Sequence, residues 1–270
     1  MDVLLTRPTA RAGLKLLLGL AMALAVGLAM ASEKRGVGLK DRNGASQLQA
    51  LKVSWYYTWT PQPMADPVSA KFVPMVWGGR WLDSQISALQ GKPVAPELLA
   101  LNEPDQVGQS NMSVQDAVAA WPVLSQLGTR ISSPATSAPL GGWALSFERS
   151  AKASNLRTDF VAIHIYGPPD PQKFLQRLDA AYKHYRKPIW ITEFAVADWS
   201  AREAGTNRYS EEQVMAFMKV VIPELEKRSY VERYAWFGAG RGSGKEAVRT
   251  SRLVDSRGAL TPLGRLYASF

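Results

Sequence analysis

Two glutamates sit at the ends of apolar runs. Leu98-Leu99-Ala100-Leu101 leads into Asn102-Glu103-Pro104-Asp105, and Pro188-Ile189-Trp190-Ile191 leads into Thr192-Glu193-Phe194. Two carboxyls that face each other across a cleft are equipped to break a glycosidic bond. One must be protonated to help the leaving sugar depart, and the other ionised to attack the anomeric carbon or activate water. Mutual repulsion and partial burial can hold one proton on such a pair. Taken singly, either glutamate reads as an ordinary strand-end residue paired with an arginine. Together, with aromatic residues flanking both, they read as chemistry. A third segment adds His164 and Tyr166. Alternation along a strand puts both on one face, where a tyrosine can hydrogen-bond one carboxylate and a histidine can steady the other. Alone, the two would be half-buried polar residues on a core strand. His184 lies among Tyr182, Lys183 and Arg186 and reads as a solvated helix residue.

These side chains need strands to carry them. Eight short apolar runs qualify, at 35–39, 52–59, 71–78, 97–104, 129–135, 159–167, 187–195 and 233–240, mostly bounded by Pro, Gly, Asn or Asp. Helical patterns lie between most of them. Leu82, Ile86 and Leu89 share a face, and Ser113 with Asp116 caps a helix that Pro122 ends or kinks. Residues 143–154 form a weaker helix, 174–185 repeat at three- and four-residue spacing, and 260–269 form a short terminal helix. Ser210 with Gln213 forms a capping box ahead of Val214–Leu225. The link 60–70 holds Pro61, Pro63 and Pro67 and excludes a regular helix. Eight strands alternating with helices predict an α/β fold, a compact (β/α)8 TIM barrel with one helix missing between the second and third strands. An open doubly wound sheet would place a glycine-rich phosphate turn after the first strand, and KDRNGAS is not one. In a barrel, chemistry sits at the C-terminal strand ends, where Glu103 and Glu193 fall.

Composition narrows the options. The 270 residues include no Cys, two His and nine Trp. Disulfides, Cys-zinc sites, iron–sulfur clusters and thiol nucleophiles are excluded, and a His-rich metal site is not expected. The tryptophans suggest either a rich core or a surface that stacks on flat ligands. Trp55 and Trp59, with Tyr57 between them, share one face of the second strand. Trp77, Trp81, Trp143, Trp199 and Trp236 also map near strand ends, which leaves Trp121 and Trp190 as core. A row of aromatics at a barrel mouth suits the apolar faces of sugars.

Residues 1–31 have the grammar of a signal peptide. Arg7, Arg11 and Lys15 precede the uncharged run 16–30, and Ala29-Met30-Ala31 supplies a cleavage site. The alternative is an uncleaved membrane helix, for which fifteen apolar residues are short. The expected organisation is a signal at 1–31, one catalytic domain at 32–270, and a secreted or periplasmic location with no stable membrane partner after cleavage. The three basic residues of the signal against Asp2 carry two of the nine net positive charges, leaving +7. The remaining charge is spread out, apart from a denser stretch at 241–252 that reads as a charged surface loop. No nucleic-acid partner is expected. GAGRGSGK (238–245) imitates a phosphate loop, but Ala239 and Glu246 break the pattern.

The strings LLALNEPD (98–105), FVAIHIYG (160–167), PIWITEFA (188–195) and YAWF (234–237) resemble glycoside hydrolase family 128, of the retaining barrel glycosidases in clan A. The resemblance runs from about Lys34 to Phe270. It implies action chiefly on β-1,3-glucan, with Glu103 as acid/base and Glu193 as nucleophile. It places Asn102 by the sugar 2-hydroxyl, Tyr166 on the nucleophile and His164 beside the acid/base. Trp55, Tyr57, Trp59, Trp77, Trp199 and Trp236 join Asn102, His164 and Tyr166 as the expected substrate-binding set. No metal or other cofactor is implied, the partner is a β-glucan poly- or oligosaccharide, and a monomer is the default. The alternatives are an exported β-glucan-binding protein without turnover, or a hydrolase or transglycosylase of another β-linked polysaccharide.

Overall fold

Alternation and β-branched or aromatic content make the strands. In the computed structural model, which describes residues 32–41, 44–240 and 245–270, all strand pairings within the sheets are parallel. The strands are β1 (Arg35–Gly38), β2 (Trp55–Tyr57), β3 (Lys71–Phe72), β4 (Met75–Val76), β5 (Ala95–Asn102), β6 (Gly128–Ala135), β7 (Val161–Gly167), β8 (Ile189–Val196) and β9 (Val231–Trp236). β3 and β4 are halves of one run interrupted at Val73-Pro74. Proline has no N–H to give the ladder, yet the run bonds on both sides, Val73 N to the Tyr56 carbonyl and Leu99 N to the Pro74 carbonyl. One sheet runs β3-β2-β1-β9-β8-β7 and the other β4-β5-β6. Parallel bridges Ser132–Phe160 and Thr136–Ile163 join β6 to β7. Eight rungs therefore follow one another round a barrel-like ring, as the sequence predicts.

The helices are α1 (Ala45–Leu51), α2 (Leu82–Leu89), α3 (Val114–Leu124), α4 (Gly142–Ala153), α5 (Pro171–Tyr185), α6 (Glu211–Lys227) and α7 (Pro262–Ser269). No helix lies between β2 and β3, where the three prolines fall. Ser113 caps α3 by accepting from Asp116 N, and Ser210 with Gln213 closes the expected capping box on α6. Pro122 does not end α3, which continues to Leu124. α1 escapes the sequence reading: Gly44 offers no side-chain cap, and the helix is held by burial of Gln47, Leu48 and Leu51. The stretch read as a charged loop differs as well. Residues 246–251 form a 3₁₀ segment with Ala247, Val248, Thr250 and Ser251 buried. The residues assigned to a signal peptide lie outside the described part. Among the described residues, no helix is long and apolar enough to cross a membrane.

The barrel interior is an aromatic plug of Trp55, Tyr57, Phe160 and Trp190 with Val73, Met75, Leu99 and Ala235. Each buried aromatic removes roughly 150–250 Å² from water, about 4–6 kcal/mol before conformational costs. The glycines of β1 make room for it. A Cβ on Gly36 would lie 2.4 Å from the Trp55 ring, and one on Gly38 would lie 2.5 Å from Trp59. At the N-terminal end the charges are paired: Lys71–Glu97 at 2.7 Å, Arg130–Glu232 at 2.8 Å and Arg233–Glu97 at 3.4 Å. The Arg233 guanidinium lies 4.2 Å from the Trp190 ring centroid and 5.4 Å from that of Trp55.

Candidate active site

At the opposite end of the ring, β5 and β8 deliver the two glutamates. β5 is irregular: its register against β6 shifts twice between Leu98 and Asn102, and Leu101 and Glu103 take left-handed backbone conformations with φ of 57° and 42°. Such conformations cost about 1–3 kcal/mol each in a non-glycine residue and cluster where a side chain must be aimed. Glu103 N donates to the Ala135 carbonyl at 2.7 Å. The loop behind it is tied to the β6 loop, because Ser137 donates from both N and Oγ to Asp105 and accepts from Gln106 Nε2. β7 and β8 also shift register after Ile163, which sets His164 beside Glu193.

Glu193 is buried, and three donors fix its carboxylate. Trp59 Nε1 donates to Oε1 at 2.8 Å, Tyr166 Oη to Oε2 at 2.6 Å, and Tyr57 Oη reaches Oε1 at 3.5 Å while donating to the Thr192 carbonyl at 2.8 Å. Burial first, and then the charge of Glu193, push both tyrosines well above the ordinary phenol value, so each stays a donor. His164 is fully buried between the carboxylates. Its Nδ1 lies 2.8 Å from Glu103 Oε1 and 3.6 Å from Glu193 Oε2. Burial pulls its pKa down, but Glu193, the hydrogen bond with Glu103 and the Glu103 charge outweigh that, and the net shift is upward.

One oxygen of Glu103, one of Glu193 and an imidazole nitrogen all lie within 4.8 Å of one another. The two carboxyls are thus close together, as a retaining mechanism, with its separation of about 5–5.5 Å, requires. The same three groups could ligate a cation, but Nδ1 and Oε1 are already engaged with each other at hydrogen-bond distance. Asn102 lies buried beside Glu103, and its Oδ1 has no partner.

A cleft of about 1630 Å³ opens above the pair, lined by Asn102, Glu103, Tyr166, Glu193 and the aromatics Trp59, Trp77, Trp81, Trp199 and Phe237. Trp81 and Trp199 are about half exposed, at 48% and 49%. Trp199 meets Tyr166 edge-on at 5.4 Å and is held by a loop knotted around Asp198, which accepts from Ser200 and from Arg208.

Four of the seven tryptophans assigned to the mouth are there. Trp55 is not: it is 1% exposed at the closed end, where its indole donates to the Lys34 carbonyl. Alternation puts Trp55, Tyr57 and Trp59 on one face correctly but says nothing of depth, so the first plugs the barrel and only the last reaches the cleft. Tyr57 lies beneath Glu193 rather than on a sugar-facing wall. Trp236 is fully buried on the outer side of β9 against Phe194, Phe217 and Tyr267, donating to the Ser251 carbonyl. The next residue, Phe237, takes the place in the cleft. Trp143 lies on α4, stacked on Phe147 and donating to the Met112 carbonyl. Sequence reading also misses Gln85 and Gln106 in the lining, for which polar loop residues give no signal.

Residues 27–267 match the model for the glycosyl hydrolase catalytic core. The chain is 31% identical to an endo-β-1,3-glucanase of glycoside hydrolase family 128, subgroup I, from Amycolatopsis mediterranei, solved with laminarihexaose; the match covers 88% of this chain and 99% of that one, with a TM-score of 0.76. A subgroup II endo-β-1,3-glucanase from Sorangium cellulosum is 29% identical over 87% of this chain and 98% of its own, with a TM-score of 0.71. Alkali-sensitive linkage protein 1 of Schizosaccharomyces pombe is 28% identical over 225 residues, 80% of this chain. The chain spans about two fifths of the length of that relative, 40%.

Proposed function

The chain belongs to the glycosyl hydrolase catalytic core family and, within it, to glycoside hydrolase family 128, and from that membership we propose that it hydrolyses β-1,3-glucan at internal linkages, with retention at the anomeric carbon. The observation that carries this reading is the close pair, Glu103 and Glu193, bridged by the buried His164 and opening into a large cleft lined with aromatic residues.

In this reading Glu193 attacks the anomeric carbon. The bond to the departing sugar breaks, its electron pair passes to the glycosidic oxygen, and Glu103 supplies the proton. Glu103, now a carboxylate, takes a proton from water, whose oxygen displaces Glu193. Trp59, Tyr166 and Tyr57 hold the nucleophile in line. The unpartnered Asn102 Oδ1 is free to accept from a sugar hydroxyl beside the reacting carbon. Trp77, Trp81, Trp199, Phe237 and the outer face of Trp59 stack on sugar rings. Internal cleavage is supported by a cleft larger than the roughly 300–1,000 Å³ of ordinary ligand sites, and by the endo-acting relatives. The steps need no cofactor and no second subunit, because acid/base and nucleophile come from one chain. We read residues 32–270 as the catalytic domain and 1–31 as an export signal, so the protein meets its glucan outside the cytoplasm.

Soluble laminarin with product analysis tests the reading. The expected result is an early ladder of short oligosaccharides with rising reducing ends, lost in Glu193→Gln. Release of a single small sugar from the outset would overturn internal cleavage, and no release at all would overturn hydrolysis.

A further inference from the structure

The cleft carries charge that a neutral glucan does not require. Besides the catalytic pair, its lining among the described residues contains Lys40, Arg80, Arg177 and Lys245 against the single carboxylate of Asp41. All four cations are exposed. Elsewhere the framework pairs many of its cations: Lys71, Arg130, Arg208, Arg228 and Arg233 each hold a carboxylate within 3.4 Å. No salt bridge among the described residues engages any of the four in the cleft.

Their placement is ordered. Lys40 follows β1 and Lys245 lies beyond β9, and those strands are paired neighbours in the ring. Arg80 follows β4 on the Glu103 side, with its guanidinium 5.1 Å from the centroid of the exposed Trp81 ring. Arg177 sits on α5 and donates from one guanidinium nitrogen to the Tyr166 carbonyl at 2.8 Å. The aromatic floor of Trp59, Trp77 and Phe237 is uncharged. Sugar ring faces would lie on the floor, while the cations on the rim would meet whatever the sugars carry outward. Guanidinium groups suit planar carboxylates and phosphates by paired hydrogen bonds, and ammonium groups suit them as point charges.

We propose that this cleft is built for β-glucan chains bearing anionic substituents, carboxylate or phosphate esters, with Lys40, Arg80, Arg177 and Lys245 as the specificity-determining residues. The inference rests on the β-glucan reading above and narrows it. A rim on which cations outnumber carboxylates raises the local concentration of anionic polymer and its association rate, an effect that salt removes.

The test compares kcat/KM on laminarin and on lightly carboxymethylated or phosphorylated laminarin, at low salt and in about 0.5 M NaCl. The expected preference for the anionic polymers at low salt is about tenfold. It falls toward unity in high salt and in the K40Q/K245Q and R80Q variants. A preference for only one of the two polymers assigns the substituent. Equal or slower turnover of both anionic polymers, with laminarin cleaved normally, would overturn the inference. Loss of turnover on every polymer contradicts hydrolysis instead. Affinity electrophoresis of the Glu193→Gln chain through gels of each polymer then still reads the charge preference.

Discussion

The two ends of the barrel use the same residue types in opposite ways. At the N-terminal end Glu97 and Glu232 each have a cation within 3.4 Å or less, and Trp190 both covers Arg233 and donates to Glu232. At the C-terminal end Glu103 and Glu193 face each other with a histidine and, among the described residues, no salt bridge to an arginine or lysine, and Trp81 and Trp199 stand half exposed. Left-handed conformations occur on both sides, at Lys52, Asn155 and Arg186 ahead of β2, β7 and β8 and at Trp59, Leu101 and Glu103 at the open end, but only at the open end does one of them carry a member of the carboxyl pair. One end spends its tryptophans and carboxylates on stability. The other holds its carboxylates by hydrogen bonds from Trp59, Tyr166 and His164 and leaves the Trp81 and Trp199 rings half exposed, which is what a reaction and a ligand require.

Substitutions at the two ends should therefore separate into activity and stability. The largest effect is expected from Glu193→Gln, which should lower kcat on laminarin by about 10³-fold or more while the melting temperature stays near that of the wild type. A variant that melts early would move Glu193 to the structural side of the divide. Next comes Trp190→Ala at the closed end. A fully buried indole lost from a packed interior costs about 3–5 kcal/mol, which in a chain of this size lowers Tm by on the order of 10 °C. The kcat of its folded fraction should not change, and calorimetry paired with assays at 20 °C would show it.

Trp199→Ala should do the reverse on a smaller scale. Removing a half-exposed stacking platform should raise KM for laminarin about five- to tenfold, about 1 kcal/mol, with little change in Tm. The smallest effect concerns His164. The carboxylates raise its pKa above 6.5 despite burial. A group raised on folding adds stability that is fully present below its unfolded value, near 6.5, and is lost as pH climbs through the folded value. Urea melts should therefore show the wild type losing stability from pH 6 to 8 relative to His164→Asn, and parallel profiles would contradict the charge arrangement drawn for the site.

Much of this was legible in the sequence. Period-two runs, capping residues and the three prolines of the 60–70 link give all eight rungs and the missing helix, because those signals are local. Glu103 and Glu193 were legible because each follows an apolar run at the end where barrel chemistry occurs. Depth was not legible. Strand alternation assigns a face but no height, so Trp55 and Trp59 look alike although one is a plug and the other binds Glu193. Trp236 and Phe237 show the complementary error, since an aromatic pair does not announce which member faces outward. α1 was hidden because seven residues without a side-chain cap leave little pattern.

The close, retaining geometry of the two carboxyls is the central claim. Proton NMR of laminari-oligosaccharide hydrolysis in its first minutes, before mutarotation, tests it most directly. The account predicts that the new reducing end appears first as the β-anomer. First appearance of the α-anomer would mean inversion and would contradict the roles given to Glu103 and Glu193.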